Sequence, residues 1–222
     1  MVNKFTAIKF WKKEVSIFTS LNLNVSFHKA IKKTSPNAVL VKQEQMTKQS
    51  RIDYLKLLAK DDPIDFLEFG VFEGNSIFGV AKHNTNPQSR FFGFDAFDDG
   101  YPEVFDNHSK GDYATSTPQS IDSRITFVKG YFQDSLDGFL KSFAPKSRMI
   151  VHFDADLYSA TLYVLTKLDL FFDGKTILSF DEFGGLTREF QAFYDYSRSY
   201  YRDYEIVQHT PEFHRVSLKL KI

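Results

Sequence analysis

Short apolar or β-branched runs recur along the chain at 64–69, 91–95, 125–130, 149–154 and 176–181, each about the length of one strand. Continuous apolar content of that length is what a strand buried on both faces requires, so the runs predict a parallel sheet. Segments with helical spacing fill the gaps at 75–83, 135–142, 159–171 and 187–201, and Asp173-Gly174 marks a stop for the third. Strand and helix in alternation are the pattern of a sheet covered by helices on both faces. The chain closes differently. Two strand-like runs at 204–210 and 215–222, joined by Pro211-Glu212-Phe213-His214, predict an antiparallel hairpin. The expected fold class is therefore α/β, with a central, mostly parallel sheet of seven strands. Residues 96–119 show no period and are rich in Asp, Gly, Pro and Ser, which predicts a long loop over the sheet's edge, of the kind that often serves as a lid.

Composition narrows the picture. With 222 residues, 42% of them hydrophobic and 25% charged, the chain has material for one globular domain and is neither disordered nor fibrous. Cysteine is absent, which removes disulfides, thiolate zinc sites and thiol nucleophiles. No 18-residue apolar stretch exists, so no transmembrane segment is expected, and a cytoplasmic protein is the default reading. Phe stands out at 25 residues against one Trp, which predicts a core filled by aromatic rings.

Charge divides the chain in two. Residues 1–50 hold nine Lys and two Glu, so this part carries +7 and the rest −7. We read 1–50 as a basic extension and 51–222 as the main domain. Phe5, Ile8, Trp11, Val15 and Phe18 recur at three- and four-residue steps, which predicts an amphipathic helix that packs on the domain or on a second copy, or rests on an anionic surface. A homo-oligomer formed through this region is the expectation. The acidic balance of the main part and the lack of a basic, aromatic-lined groove argue against a nucleic-acid partner.

In an open α/β sheet, ligands bind outside the carboxyl ends of the strands. In this chain those positions are acidic: Glu68, Asp95, Asp154 with Asp156, and Asp181 with Glu182, while Gln133 and Asp134 follow the third strand. Any one of these acids is most simply a helix cap or a solvated loop residue, but their recurrence on successive strands asks for chemistry. The first turn reads Glu68-Phe69-Gly70-Val71-Phe72-Glu73-Gly74, with Gly70 allowing a tight turn and Gly74 a close helix. A dinucleotide turn would need a middle glycine that this one lacks. Glu68 suits an ammonium and Asp95 a ribose diol, and together they describe S-adenosylmethionine. Asp154, Asp156, Asp181 and Glu182 converge at neighbouring strand ends, where a hard divalent cation, Mg2+ rather than Ca2+, would neutralise them.

The stretches FLEFGVFEGNS at 66–76, FFGFDAF at 91–97, VHFDADLYSAT at 151–161 and SFDEF at 179–183 resemble the macrocin O-methyltransferase family over roughly residues 45–205. That resemblance implies a Rossmann-like class I methyltransferase fold and a magnesium-dependent enzyme that uses S-adenosylmethionine to methylate sugar hydroxyls. It implies Asp154, Asp181 and Glu182 as metal ligands and Asp156 as general base. Glu68, Gly70, Ser76, Asp95 and Gln133 would line the cofactor pocket, with Gly74 and Asp154 beside them. The family usually has a Trp and a basic residue where this chain has Phe72 and Glu73. His152 points to the same face as Asp154 and is a candidate second base, although a hydrogen-bonded core histidine is the commoner role for such a residue. Tyr101 and His108, with Asp98 and Asp99, are candidates to close over the acceptor.

The expected reaction is in-line methyl transfer to one hydroxyl of a glycan or small molecule bearing vicinal hydroxyls, with magnesium acidifying the hydroxyl and Asp156 taking its proton. The rivals are a nucleotide-binding enzyme of the NAD type, opposed by the missing glycine and the terminal hairpin, and a non-catalytic scaffold, opposed by the intact acidic cluster.

Overall fold

The computed structural model describes residues 35–42, 47–104, 106–184 and 187–222. The amphipathic helix expected around Phe5 to Phe18, and the oligomer contact assigned to it, lie outside them.

Eight strands form one sheet: β1 (Val39–Leu40), β2 (Ile64–Phe69), β3 (Arg90–Asp95), β4 (Ile125–Lys129), β5 (Arg148–Phe153), β6 (Ile177–Phe180), β7 (Asp203–His209) and β8 (Val216–Lys221). Their order across the sheet is β1-β7-β8-β6-β5-β2-β3-β4. β8 runs antiparallel to both its neighbours, and every other pairing is parallel. The expected architecture is present, with one strand more than the seven read from the pattern. β1 is only two residues long and pairs with the edge of β7, and so short a strand carries no periodic signal.

Among the described residues five helices connect the strands: α1 (Lys48–Lys56), α2 (Asn75–His83), α3 (Phe132–Leu140), α4 (Tyr158–Leu168) and α5 (Glu189–Ser199). No described helix is long and apolar enough to cross a membrane. α1 begins with a reciprocal capping box between Thr47 and Ser50. It was absent from the expected elements because its polar composition gives no apolar stripe, although Tyr54 and Leu55 are buried.

Side chains alternate across each strand, so the sheet has two cores. On the α1–α2 face Ile64, Phe66, Phe91 and Ile150 meet Tyr54, Leu55, Ile77 and Val80. On the other face the last apolar residues of four adjacent strands, Phe94, Phe69, Phe153 and Phe180, lie in register as a row of stacked rings, with centroids 4.5, 6.1 and 4.7 Å apart. The row lies directly beneath the acidic strand ends. One position back, on the opposite face, β2, β5 and β6 carry a polar row, Glu68, His152 and Ser179, which Ser217 continues on β8. The loop after β3 begins with a single helical turn at Phe97–Asp99 and is irregular until β4.

Candidate active site

At the carboxyl edge of β2, β3 and β5 lies a cavity of about 300 Å³ whose walls include Gly70, Ser76, Asp95, Gln133, Asp154 and Asp156. The turn that opens it is shaped by glycine. Gly70 sits at φ +94°, and a Cβ there would come within 2.1 Å of the Asp154 carbonyl oxygen, so only a hydrogen can face β5. Gly74, at φ +81°, caps α2 behind the wall. Asp95 locks the turn: one carboxylate oxygen accepts the N–H groups of Val71 and Phe72 at 2.7 and 2.8 Å, and the other accepts that of Phe97 at 2.8 Å. A carboxylate has about four acceptor positions, so one remains for a ligand hydroxyl.

Glu68 and His152 lie behind the cavity wall, each 1% exposed. Burial raises the Glu68 carboxyl to about 8, with the Arg51 charge and hydrogen bonds from Ile77 and Ser76 opposing the rise. Burial lowers His152 to about 4, so its ring is neutral at pH 7. The two groups are 4.0 Å apart, and Glu68 Oε2 and His152 Nε2 have no hydrogen-bond partner. His152 Nδ1 faces the Ser179 carbonyl at 3.3 Å.

No three of the four acids expected to converge bring ligand atoms within 4.8 Å of one another, and each has a cationic partner. Arg51 of α1 reaches over the strand ends to Asp154 and places its other terminal nitrogen 3.1 Å from Asp181. Arg215, just before β8, is buried against Asp181 through its Nε. Arg188 binds Glu182 at 2.5 Å, lies 3.6 Å from Asp156 and pairs with Asp106 in the long loop. Burial and the neighbouring Asp181 push Asp154 well above its usual range. Asp181 goes the other way, because Arg51 and Arg215 outweigh the cost of its burial. Glu189, fully buried at the start of α5, accepts the Glu182 N–H at 3.1 Å and is raised by burial and by Asp156 and Asp181.

Asp156 lines the cavity from a backbone at φ +60°, in the left-handed region that Asp tolerates better than most residues. The Tyr101 hydroxyl donates a hydrogen bond to it. Tyr101, His108 and Tyr113 form a ring cluster with centroids 5.1 to 5.9 Å apart, and Phe72 meets Tyr113 at 5.5 Å. The loop is thus folded over the cavity, tied by Asp106 to Arg188 and by Glu103 to Ser159 at 2.9 Å. Asp98 turns away to Lys129.

Among the expected cofactor residues, Gly70, Ser76, Asp95, Gln133 and Asp154 line the cavity, whereas Glu68 and Gly74 stand behind it. Glu182 lines it as well, while Asp181 is buried below. Arg51, Arg188, Arg215 and Glu189 escaped the sequence reading. The available signal was the unbalanced charge at the strand ends, which demands cations from somewhere.

No protein-family model and no curated protein matches the chain. Solved structures do. The calicheamicin methyltransferase CalS11 superposes with a TM-score of 0.61 at 22% identity over 80% of each chain. The fold is that of an O-methyltransferase. A second structure of CalS11 describes that enzyme as a TDP-rhamnose 3'-O-methyltransferase. The O-methyltransferase NovP gives 0.59 at 18% identity over 76% of this chain and 78% of its own. An O-methyltransferase from Bacillus cereus in complex with SAH gives 0.53 at 12% identity over 94% and 91%.

The cavity suits S-adenosylmethionine: a side-chain-free turn at Gly70, an acceptor position left on Asp95, and apolar walls from Phe132, Ala155 and Leu157. The acidic set does not suit a divalent ion. Both Asp181 oxygens are held by guanidinium groups, as are Asp154 Oδ2 and Glu182 Oε2. Among the described residues Glu68, His152 and Asp154 bring ligand atoms within 4.8 Å of one another, but an ion there would meet Arg51 on Asp154.

Proposed function

We propose that this chain is an S-adenosylmethionine-dependent O-methyltransferase acting on a hydroxyl of a sugar or a glycosylated small molecule, with Asp156 as general base, in the cytoplasm. The observation that carries this reading is a hydroxyl donor, that of Tyr101, already resting on Asp156 at the wall of a cofactor-shaped cavity. An acceptor hydroxyl that takes the place of the phenol would meet the same carboxylate.

When bound, S-adenosylmethionine supplies the methyl group. Gly70, Ser76, Asp95 and Gln133 would hold it. The protein's part in the reaction is alignment and one proton transfer. Asp156 accepts the acceptor's O–H proton as the oxygen becomes nucleophilic. Arg188, 3.6 Å away, restrains Asp156. The loop bearing Tyr101 and Tyr113 excludes water and offers ring faces on which the apolar face of a sugar can lie. Supporting a sugar acceptor is the description of CalS11 as acting on TDP-rhamnose. No step here passes through magnesium.

Calorimetric titration with S-adenosylhomocysteine and with NAD separates this reading from a dinucleotide enzyme: saturable binding of the first alone is expected. Methyl transfer to nucleotide sugars and free deoxysugars should then fall by about 100-fold or more in Asp156→Asn, with cofactor affinity within about threefold of wild type. Preserved turnover with collapsed affinity would remove Asp156 from the base role.

A further inference from the structure

We propose that Arg51, backed by Arg215, is the resident counter-cation of the Asp154–Asp181 pair and stands where a divalent metal would otherwise sit, so that this site works without one. The functional half of the statement rests on the methyl-transfer reading; the exclusion of the ion does not.

Three observations carry it. First, the carboxylate oxygens face guanidinium groups. Asp181 gives one oxygen to Arg215 and the other to Arg51, while Asp154 gives Oδ2 to Arg51. Mg2+ requires a nearly octahedral shell of oxygens at short range and tolerates no cation inside it. Second, the arginines are built in. Arg215 is buried, and from its guanidinium Nη1 donates to Ser50 Oγ at 3.1 Å. Ser50 belongs to the capping box that starts α1, one residue before Arg51. α1 is also pressed against α2, where a Cβ on Gly79 would come within 2.6 Å of Ile52 Cγ2. Arg51 therefore projects from a helix fixed at both its start and its inner face, and it lines the cavity.

Third, cations of the chain already meet the acids: Arg51 and Arg215 face Asp154 and Asp181, and Arg188 pairs with Glu182 and lies 3.6 Å from Asp156. A divalent ion would add two charges beside two fixed guanidinium groups in a poorly solvated edge. Arg51 is then a positioning residue. It holds Asp154 beside the cavity and keeps positive potential near the oxygen that becomes nucleophilic.

The test uses Mn2+ as the probe, followed by electron paramagnetic resonance on the full chain, with and without S-adenosylhomocysteine. Wild type should show no saturable site tighter than about 1 mM, whereas Arg51→Met, which frees one oxygen on each acid, should bind at least about tenfold more tightly. Arg51→Lys, keeping the charge, should behave as wild type. Micromolar Mn2+ binding by wild type would overturn the proposal, and so would an Arg51→Met variant that folds yet binds no better. Should Arg51→Met fail to fold by circular dichroism, Arg51→Gln makes the same comparison. S-adenosylhomocysteine binding is read separately, so failure of the cofactor reading leaves a different trace from failure of ion exclusion.

Discussion

Glu68 is a carboxyl group enclosed where its charge is poorly solvated, and that makes the protein's stability sensitive to pH. Its pKa rises from 4.5 to about 8 on folding, chiefly through burial. Between those values the folded chain keeps a proton that the unfolded chain has lost, so stability falls as pH rises through the window and levels off above it. His152 works at the other end. Its pKa drops from 6.5 to about 4, so the unfolded chain binds the extra proton and stability falls as pH decreases through that interval. Below about pH 6.5 the two slopes oppose, so the test lies above it: in thermal unfolding the melting temperature of wild type should fall from pH 6.5 to 8 while that of Glu68→Gln stays level, and parallel profiles would mean that Glu68 is not the group responsible. The acids were legible in the sequence because each follows an apolar run that must end at the sheet's edge. Their partners were not, because Arg51, Arg188 and Arg215 sit on a helix, a turn and a strand start whose meeting is decided only by the tertiary fold.

Elements fix what residues alone leave loose. The turn after β2 is held between Asp95 on one side and the β5 backbone on the other, and Gly70 is the point where no side chain fits. Gly70→Ala should lose about 3 kcal/mol or more, since it combines a left-handed backbone with a clash against a main-chain carbonyl that cannot move aside. Urea unfolding measures the loss, and a variant as stable as wild type would show that the turn can be rebuilt. The strands were readable because burial on both faces leaves a nearly continuous apolar record. β1 and α1 were not, the first being two residues long and the second polar except where Tyr54 and Leu55 turn inward.

Over the whole molecule, the sheet separates two environments one residue apart. A row of stacked Phe rings forms a rigid apolar floor on one face, and the polar row of Glu68, His152, Ser179 and Ser217 occupies the other. The acids emerge where both rows end. A ligand filling the cavity at this edge bridges β2, β3 and β5 and stabilises the folded state by mass action. S-adenosylhomocysteine at about 100 times its dissociation constant should add about 2.7 kcal/mol, raising the melting temperature by about 5–10 °C in a chain of this size. NAD at the same concentration should leave it unchanged, and equal shifts from both would undo the assignment of the cavity.

The meeting of Arg51, Asp181 and Arg215 also sets an order of events during synthesis. α1 and the strand ends that carry Asp154 and Asp181 leave the ribosome well before residue 215 does. Until then Asp181 lacks one of its two guanidinium partners, and Ser50 lacks the donor that ties α1 to the far end of the chain. α1 and β8 must therefore both be in place before the cleft takes its final form. A nascent chain carries every acid of the site yet remains an unfinished binding protein until residue 215 has left the ribosome too.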